Sequence, residues 1–224
     1  QKRLWVLHHM EECPIAYNMP GAFMLEGKLD KQAFQKSFED LLQRHEILRT
    51  SFITVEGQPC QKVLNKIEFH IEEIDLRVDK ETIPENGLLK QHAEQEAQTP
   101  FDLGKAPLLR VKLLHISETR YLLLFTIHHI IADGWSLDVL AGELSSLYKS
   151  HAFNEHNHLE TLPLQYKDYT AWHNELLESE GIRADREYWR NKLSGEIPVL
   201  DIPTDYTRPP VQTYQGSIHL FQIS

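Results

Sequence analysis

The stretch YLLLFTIHHIIADGWS, residues 121–136, decides how the rest of the chain is read. Residues 121–127 form an apolar run that is rich in β-forming side chains and short for a helix, so a buried interior strand is expected there. The run then stops being apolar. His128, His129, Asp133 and Gly134 follow closely, and Trp135 and Ser136 lead into a helical pattern. A strand that ends in a polar loop and feeds a helix holds that loop rigidly, which suits it to carry chemistry. The loop is expected to span residues 128–136.

On extended backbone, neighbouring side chains point to opposite faces. His128 and His129 therefore have separate roles: His129 is expected to face an open cleft and His128 to turn inward. This divergence argues against a metal centre, which needs convergent ligands. Two buried, hydrogen-bonded histidines holding a turn are the plain structural alternative. Asp133 favours chemistry, because a nearby carboxylate can pair with a cation and fix the loop. Gly134 permits a turn or a close approach to the backbone.

Working outward, residues 107–116 read as a strand that forms an antiparallel hairpin with 121–127 across residues 117–120. Downstream, Ser136 is expected to cap a helix whose inner face carries Leu137, Leu140, Leu144 and Leu147. Asp138 and Glu143 read as solvated charges on that helix, with Asp138 suited to its dipole. Residues 151–162 read as a polar loop. The spacing of His151, His156 and His158 along it is a poor metal template.

Nearer the start, residues 1–11 read as a short helix and 17–26 as a strand. Asp30 caps an amphipathic helix with Phe34, Phe38, Leu41, Leu42 and His45 on one face. Residues 48–55 and 60–64 are expected to form a hairpin around the turn signal Glu56-Gly57-Gln58-Pro59. Residues 67–76 read as a strand, 84–98 as a polar helix, and 99–105 as a loop. Arg44, His45, Glu46 and Arg49 look at first like a catalytic cluster. Ion pairs and hydrogen bonds pinning helix to sheet account for them more simply. Residues 166–178 and 184–193 read as helices split by Gly181, and residues 198–210, with four prolines, exclude a helix.

The chain has 224 residues, 41% hydrophobic and 25% charged, enough for a sizeable core in a globular protein. A net charge of -10 argues against general binding to nucleic acid or anionic membrane. Cys13 and Cys60 are too few for a disulfide framework. No signal-peptide pattern, glycosylation sequon or membrane-length apolar run is present, and the cytoplasm is the expected compartment. Gln1 is not an initiator Met, and residues 218–224 alternate like a strand that simply stops. Both ends suggest a piece of a longer polypeptide.

HHIIADGWS resembles the HHxxxDG signature of the condensation-domain superfamily of nonribosomal peptide synthetases, whose fold is that of chloramphenicol acetyltransferase. Three further stretches resemble motifs of that family in the expected order: QKRLWVLHHME at residues 1–11, RHEILRTSF at 44–52 and YKDYTAW at 166–172. The resemblance implies an α/β two-layer lobe with a mixed sheet covered by helices. Residues 1–175 would be the N-terminal lobe, and residues 176–224 the inter-lobe segment and the start of a truncated C-terminal lobe.

By this resemblance the full domain joins a donor acyl or peptidyl thioester to an acceptor aminoacyl thioester through an amide bond. Both substrates arrive on the 4'-phosphopantetheine of donor and acceptor peptidyl carrier proteins, and the domain binds no cofactor or metal of its own. An adjacent adenylation domain and the missing C-terminal lobe are further implied partners. His129 would handle the proton of the acceptor amine or orient it, with His128 as its support. Asp133 would shape the loop through an ion pair with an arginine, Gly134 would admit substrate or the pantetheine arm, and Trp135 and Ser136 would line the channel. The 44–52 motif is structural in the family, in agreement with the residue-level reading of Arg44, His45, Glu46 and Arg49. The fragment alone is expected to be inactive, since the family's site lies between two lobes. An epimerisation domain, a free-standing acyltransferase and a non-catalytic recruitment domain share the fold and stay open as alternatives. The intact second histidine speaks against the last.

Overall fold

A computed structural model of the chain describes residues 1–10, 15–77, 85–207, 210 and 221–222. Cys13 and most of the strand expected at 218–224 lie outside these. The chain divides into two compact units, Gln1–Tyr169 and Thr170–Ser224.

The first unit opens with α1 (Lys2–Met10), β1 (Asn18–Glu26) and α2 (Lys31–Arg44). A 3-10 turn, Glu46–Arg49, leads into β2 (Thr50–Val55) and β3 (Gln58–Val63), followed by β4 (Glu72–Asp75) and α3 (Glu85–Gln98). Then come β5 (Leu109–Ser117), β6 (Arg120–His128) and α4 (Gly134–Phe153). The main sheet runs β1-β6-β5-β4, antiparallel except for the parallel β4–β5 pair, and β2–β3 form a separate hairpin. The sheet is therefore mixed and covered by helices, as expected, and the 121–127 run lies inside it between β1 and β5.

Apart from Thr126, that run is apolar because both faces of β6 are covered. Tyr121, Leu123 and Ile127 join the core with Phe34, Phe38, Leu41 and Leu42 of α2 and with Leu147 of α4. Leu122 and Leu124 join Leu114 and Ile116 on the other face, against Leu88, Leu89 and Ala93 of α3. On α3, buried Glu96 holds both Arg110, at 2.6 Å, and Lys112, at 3.2 Å, on the same strand. Pro20 is tolerated because β1 lies at the edge of this sheet. Gly21 faces Phe125 across the β1–β6 pair, and a Cβ there would fall 2.2 Å from the ring. A glycine is required at that position by space, not by backbone conformation.

Asp30 caps α2 as expected, accepting from the Ala33 N–H at 2.9 Å. The expected hairpin is present, with Glu56 at φ 50° and Gly57 at φ 77° in its two-residue turn. Left-handed geometry at both positions matches the twist of the flanking strands. Several expectations need correction. Leu48 and Arg49 belong to the 3-10 turn, not to the strand. Of residues 67–76 only Glu72–Asp75 pair in a sheet, while Ile67 and Phe69 pack on the core without a ladder. His151 is not in a loop: it stands in the last turn of α4, and its Nε2 lies 2.7 Å from Asp40 on α2. Asn154 ends that helix in the left-handed conformation at φ 53°.

Glu143 is not a solvated charge either. It is largely buried and receives Arg44 at 3.0 Å and His45 Nε2 at 2.5 Å. Burial pushes its carboxyl up, but hydrogen bonds from Arg44 and His45 outweigh that and hold it below the usual range. Arg44 and His45 pin α2 to α4 rather than helix to sheet. Arg49 reaches Glu46 at 3.6 Å and the Leu64 carbonyl just beyond β3.

In the second unit, the last part of α5 (Tyr166–Glu178), a 3-10 turn at Glu180–Ile182 and α6 (Arg183–Lys192) follow one another, with Gly181 at the break. No helix is found in the described residues from 198 onward. Tyr188 and Trp189 on α6, and Val199 and Leu200 after it, are exposed. Among the described residues no helix is long and apolar enough to cross a membrane.

Candidate functional site

The end of β6 builds the site from alternation. His128 is the last strand residue and is fully buried, whereas His129 is exposed. The expected divergence of the two side chains is what the structure shows. The loop is shorter than expected, residues 129–133, because His128 still pairs with Asn18 and α4 starts at Gly134.

Backbone hydrogen bonds fix both histidines. The His128 N–H donates to Leu108 O at 3.0 Å, and the His129 N–H to Tyr17 O at 2.9 Å. The Ile131 N–H then returns to His128 O at 3.0 Å, closing the turn.

The two rings have opposite chemistry. His128 Nδ1 accepts the Ile130 N–H at 3.1 Å, so in the neutral ring the proton is on Nε2. Burial, and then the neighbouring His8 and His129, push its pKa down to about 4. His8 packs edge-on against the ring at 5.3 Å, and Phe101 at 6.0 Å. His128 is therefore neutral near pH 7 and braces the turn. His129 Nδ1 lies 2.7 Å from the Ala132 carbonyl. A carbonyl only accepts, so Nδ1 bears the proton, and the neutral imidazole keeps its lone pair on Nε2.

His129 lines a cleft of about 390 Å³ together with Asp133, Trp135, Ser136, His45 and Tyr166. Gln1 and Leu4 of the N-terminal segment also form its wall, as do Ile130 and Ile131 of the loop. The structure thus gathers His129, Asp133, Trp135 and Ser136 into one place. Gly134 is not in that wall. It lines a larger, mostly apolar cavity of about 780 Å³ between the β1–β6 face and helices α2 and α4. Nothing lies within 4 Å of the position a Gly134 side chain would take, so the backbone there is open to approach.

Asp133 shapes the start of a helix. It is exposed, and no ion pair with an arginine is found among the described residues. It is the N-cap of α4: its Oδ1 accepts the Ser136 N–H at 2.9 Å and the Ser136 hydroxyl at 2.7 Å. The Asp133 N–H in turn donates to Ser136 Oγ at 3.2 Å, completing a capping box. Ser136 is thus the third helical residue, not the cap. These two hydrogen bonds, the hydroxyl's first, hold the Asp133 carboxyl below its usual range. Trp135, in the first turn of α4, is 80% exposed.

Sequence reasoning did not find the roles of Gln1, Tyr166 and Glu143. Tyr166 stood in a noted motif, but no spacing could show that it reaches the 129–133 loop across more than thirty residues. Burial, with smaller contributions from Tyr169 and Asp133, raises its phenol pKa. Among the described residues no group of three or more His, Cys, Asp or Glu could hold a metal ion.

Fold and site together define a mixed α/β unit with an exposed histidine at the end of an interior strand. A family described as Condensation domain matches residues 1–224, and the chain belongs to that family. It is 40% identical over 217 residues to gramicidin S synthase 2 of Brevibacillus brevis, covering 97% of this chain and 4% of that protein. Among solved structures, the X-domain from teicoplanin biosynthesis in complex with OxyB superposes with TM-score 0.80 and 29% identity, covering 92% of this chain and 45% of that one. The starter condensation domain of rhizomide synthetase has the same fold, with TM-score 0.76 at 16% identity, covering 86% of this chain and 46% of that one. The chain therefore spans under half the length of the solved domains it matches.

Proposed function

We propose that the complete domain containing this chain forms amide bonds between thioester-bound substrates, with His129 as its proton-handling residue. The observation that carries this is the Ala132 carbonyl on His129 Nδ1, which leaves an Nε2 lone pair in an exposed cleft. A thioester is already activated, so the work lies in positioning and in one proton. The acceptor amine attacks the donor carbonyl, forming the C–N bond. The C–S bond breaks and the donor thiolate leaves. Nε2 takes the proton lost by the amine and returns it to that thiolate, so the exchange balances within the site. An α-amine has an ordinary pKa of about 8, so a neutral, nucleophilic fraction is present near neutral pH. His128, neutral and buried, holds the turn behind it. Trp135 and Ser136 border the path of the substrate, and Gly134 leaves room for the pantetheine arm. The 4'-phosphopantetheine belongs to the carrier proteins, which together with an adenylation domain are the proposed partners. The fragment alone lacks the second wall of the site and is proposed to be inactive.

The test is single-turnover transfer between two loaded carrier proteins by the complete domain. His129→Ala is expected to lower the rate roughly 10²–10⁴-fold with folding and carrier binding intact. Near-full transfer by a folded His129→Ala protein would remove the histidine from the mechanism. Loss of donor α-carbon configuration without amide formation would point instead to an epimerisation domain. The likeness to the X-domain, solved in complex with OxyB, favours a second reading, recruitment of a separate protein. Wild-type domain that captures such a partner but never forms amide would support it.

A further inference from the structure

Gln1 sits where the first motif of the chain meets the catalytic loop. Its Nε2–H donates to the Ile130 carbonyl at 2.9 Å, immediately after His129. Its Oε1 accepts Gln61 Nε2–H at 2.7 Å, from β3 of the separate hairpin. Its backbone carbonyl accepts the Trp5 N–H at 2.9 Å, so the same residue starts α1. One residue therefore joins the first helix through its backbone and the hairpin and the loop through its side chain, and it also lines the cleft that His129 faces.

The loop's other backbone anchors explain why this matters. His129 N–H is tied to Tyr17 O and Ile131 N–H to His128 O, but the imidazole direction depends on Ala132 O. Ile130 and Ile131 lie between the ring and that carbonyl. The Gln1 amide fixes the plane of the Ile130 peptide, and hence the path of the chain to Ala132. We infer that Gln1, braced by Gln61, is a positioning residue for His129, orienting the Ala132 carbonyl that sets the tautomer of its ring. This inference rests on the proposed role of His129. A residue that only packed α1 onto the domain would need no amide aimed at this one carbonyl.

The experiment uses the complete domain carrying Gln1→Ala, Gln1→Glu and Gln61→Ala, with His129→Ala as reference. Gln1→Ala is expected to lower kcat for transfer about tenfold, with KM for the loaded acceptor carrier and the melting temperature little changed. Gln1→Glu removes the donor while keeping the shape and should fall at least as far. Gln61→Ala should fall less. A readout independent of turnover is the ¹⁵N spectrum of labelled histidine. Wild type should show His129 as the Nδ1–H tautomer, and Gln1→Ala should shift it towards a mixture. A Gln1→Ala protein with unchanged kcat and tautomer, or with loss confined to melting temperature, overturns the inference. If wild type and all variants transfer nothing yet the tautomer shift appears, the positioning stands and the proposed reaction fails. If His129→Ala is active, the reaction role fails independently of Gln1.

Discussion

At the scale of the residue, Asp133 shows how a motif acid can serve structure. It closes the first turn of α4 through a reciprocal box with Ser136, and it is exposed. Losing such a cap costs about 1 kcal/mol, not the several kcal/mol of an orphaned buried charge. Asp133→Ala in this chain is therefore expected to fold, with a stability loss of about 1 kcal/mol in urea denaturation. Asp133→Ser should recover most of it. A loss above about 3 kcal/mol, or insolubility, would mean that the carboxylate has a charged partner after all. The two histidines make the complementary point. Adjacent in sequence, they end up in opposite electrostatic surroundings because one points into packed protein and the other into the cleft.

At the scale of the element, the junction between α2 and α4 holds the loop from behind. Phe34 packs edge-on against Tyr148 at 5.9 Å, and Asp40 meets His151 at the far end of α4. Glu143 is the centre of the junction, shared by Arg44 and His45. Glu143→Gln keeps the shape but leaves the Arg44 guanidinium without its counter-charge in a mostly buried setting. The expected loss is about 2 kcal/mol, below the range for fully buried pairs because some solvent reaches the site. Equilibrium unfolding of the variant checks this. A change under about 0.5 kcal/mol would show that the pair contributes only specificity. Since His45 also lines the His129 cleft, the same variant should lower transfer in the complete domain.

At the scale of the whole molecule, acid stability follows from where these groups are buried. His128 has a folded pKa of about 4, below the ordinary histidine value of 6.5. Between those values the unfolded chain binds the proton that the folded chain refuses, so stability rises with pH. The contribution is complete above about pH 6.5 and is lost as pH falls to about 4, on the order of 3 kcal/mol in all. The depressed carboxyl of Glu143 adds a loss of the same sign at lower pH, below its ordinary value of 4.5. Urea midpoints measured from pH 7 to 4 should fall steadily for wild type. The fall should be visibly shallower for His128→Gln, even though that variant starts lower. A wild-type midpoint that stays flat over this interval would contradict the buried, neutral state of His128.

The sequence by itself determined the family, the strand at residues 121–127, the helices and the opposed histidines. Each of these rests on a short-range pattern: apolar period, cap residues, and the two-residue alternation of extended chain. Even the continuity of the apolar run was informative, because only a strand covered on both faces needs it. Tertiary structure alone decided the partners. Glu143 looked solvated on its helix, but it lies against α2 because Arg44 and His45 end that helix beside it. His151 stays helical because Asp40 receives it. Asp133 caps its own helix, since a side chain at that position reaches the free N–H groups of the first turn. Gln1 and Tyr166 entered the site only through folding, which brings the two ends of the first unit to one loop. Pairings across a hundred residues depend on how elements pack, and no local spacing in the chain records that.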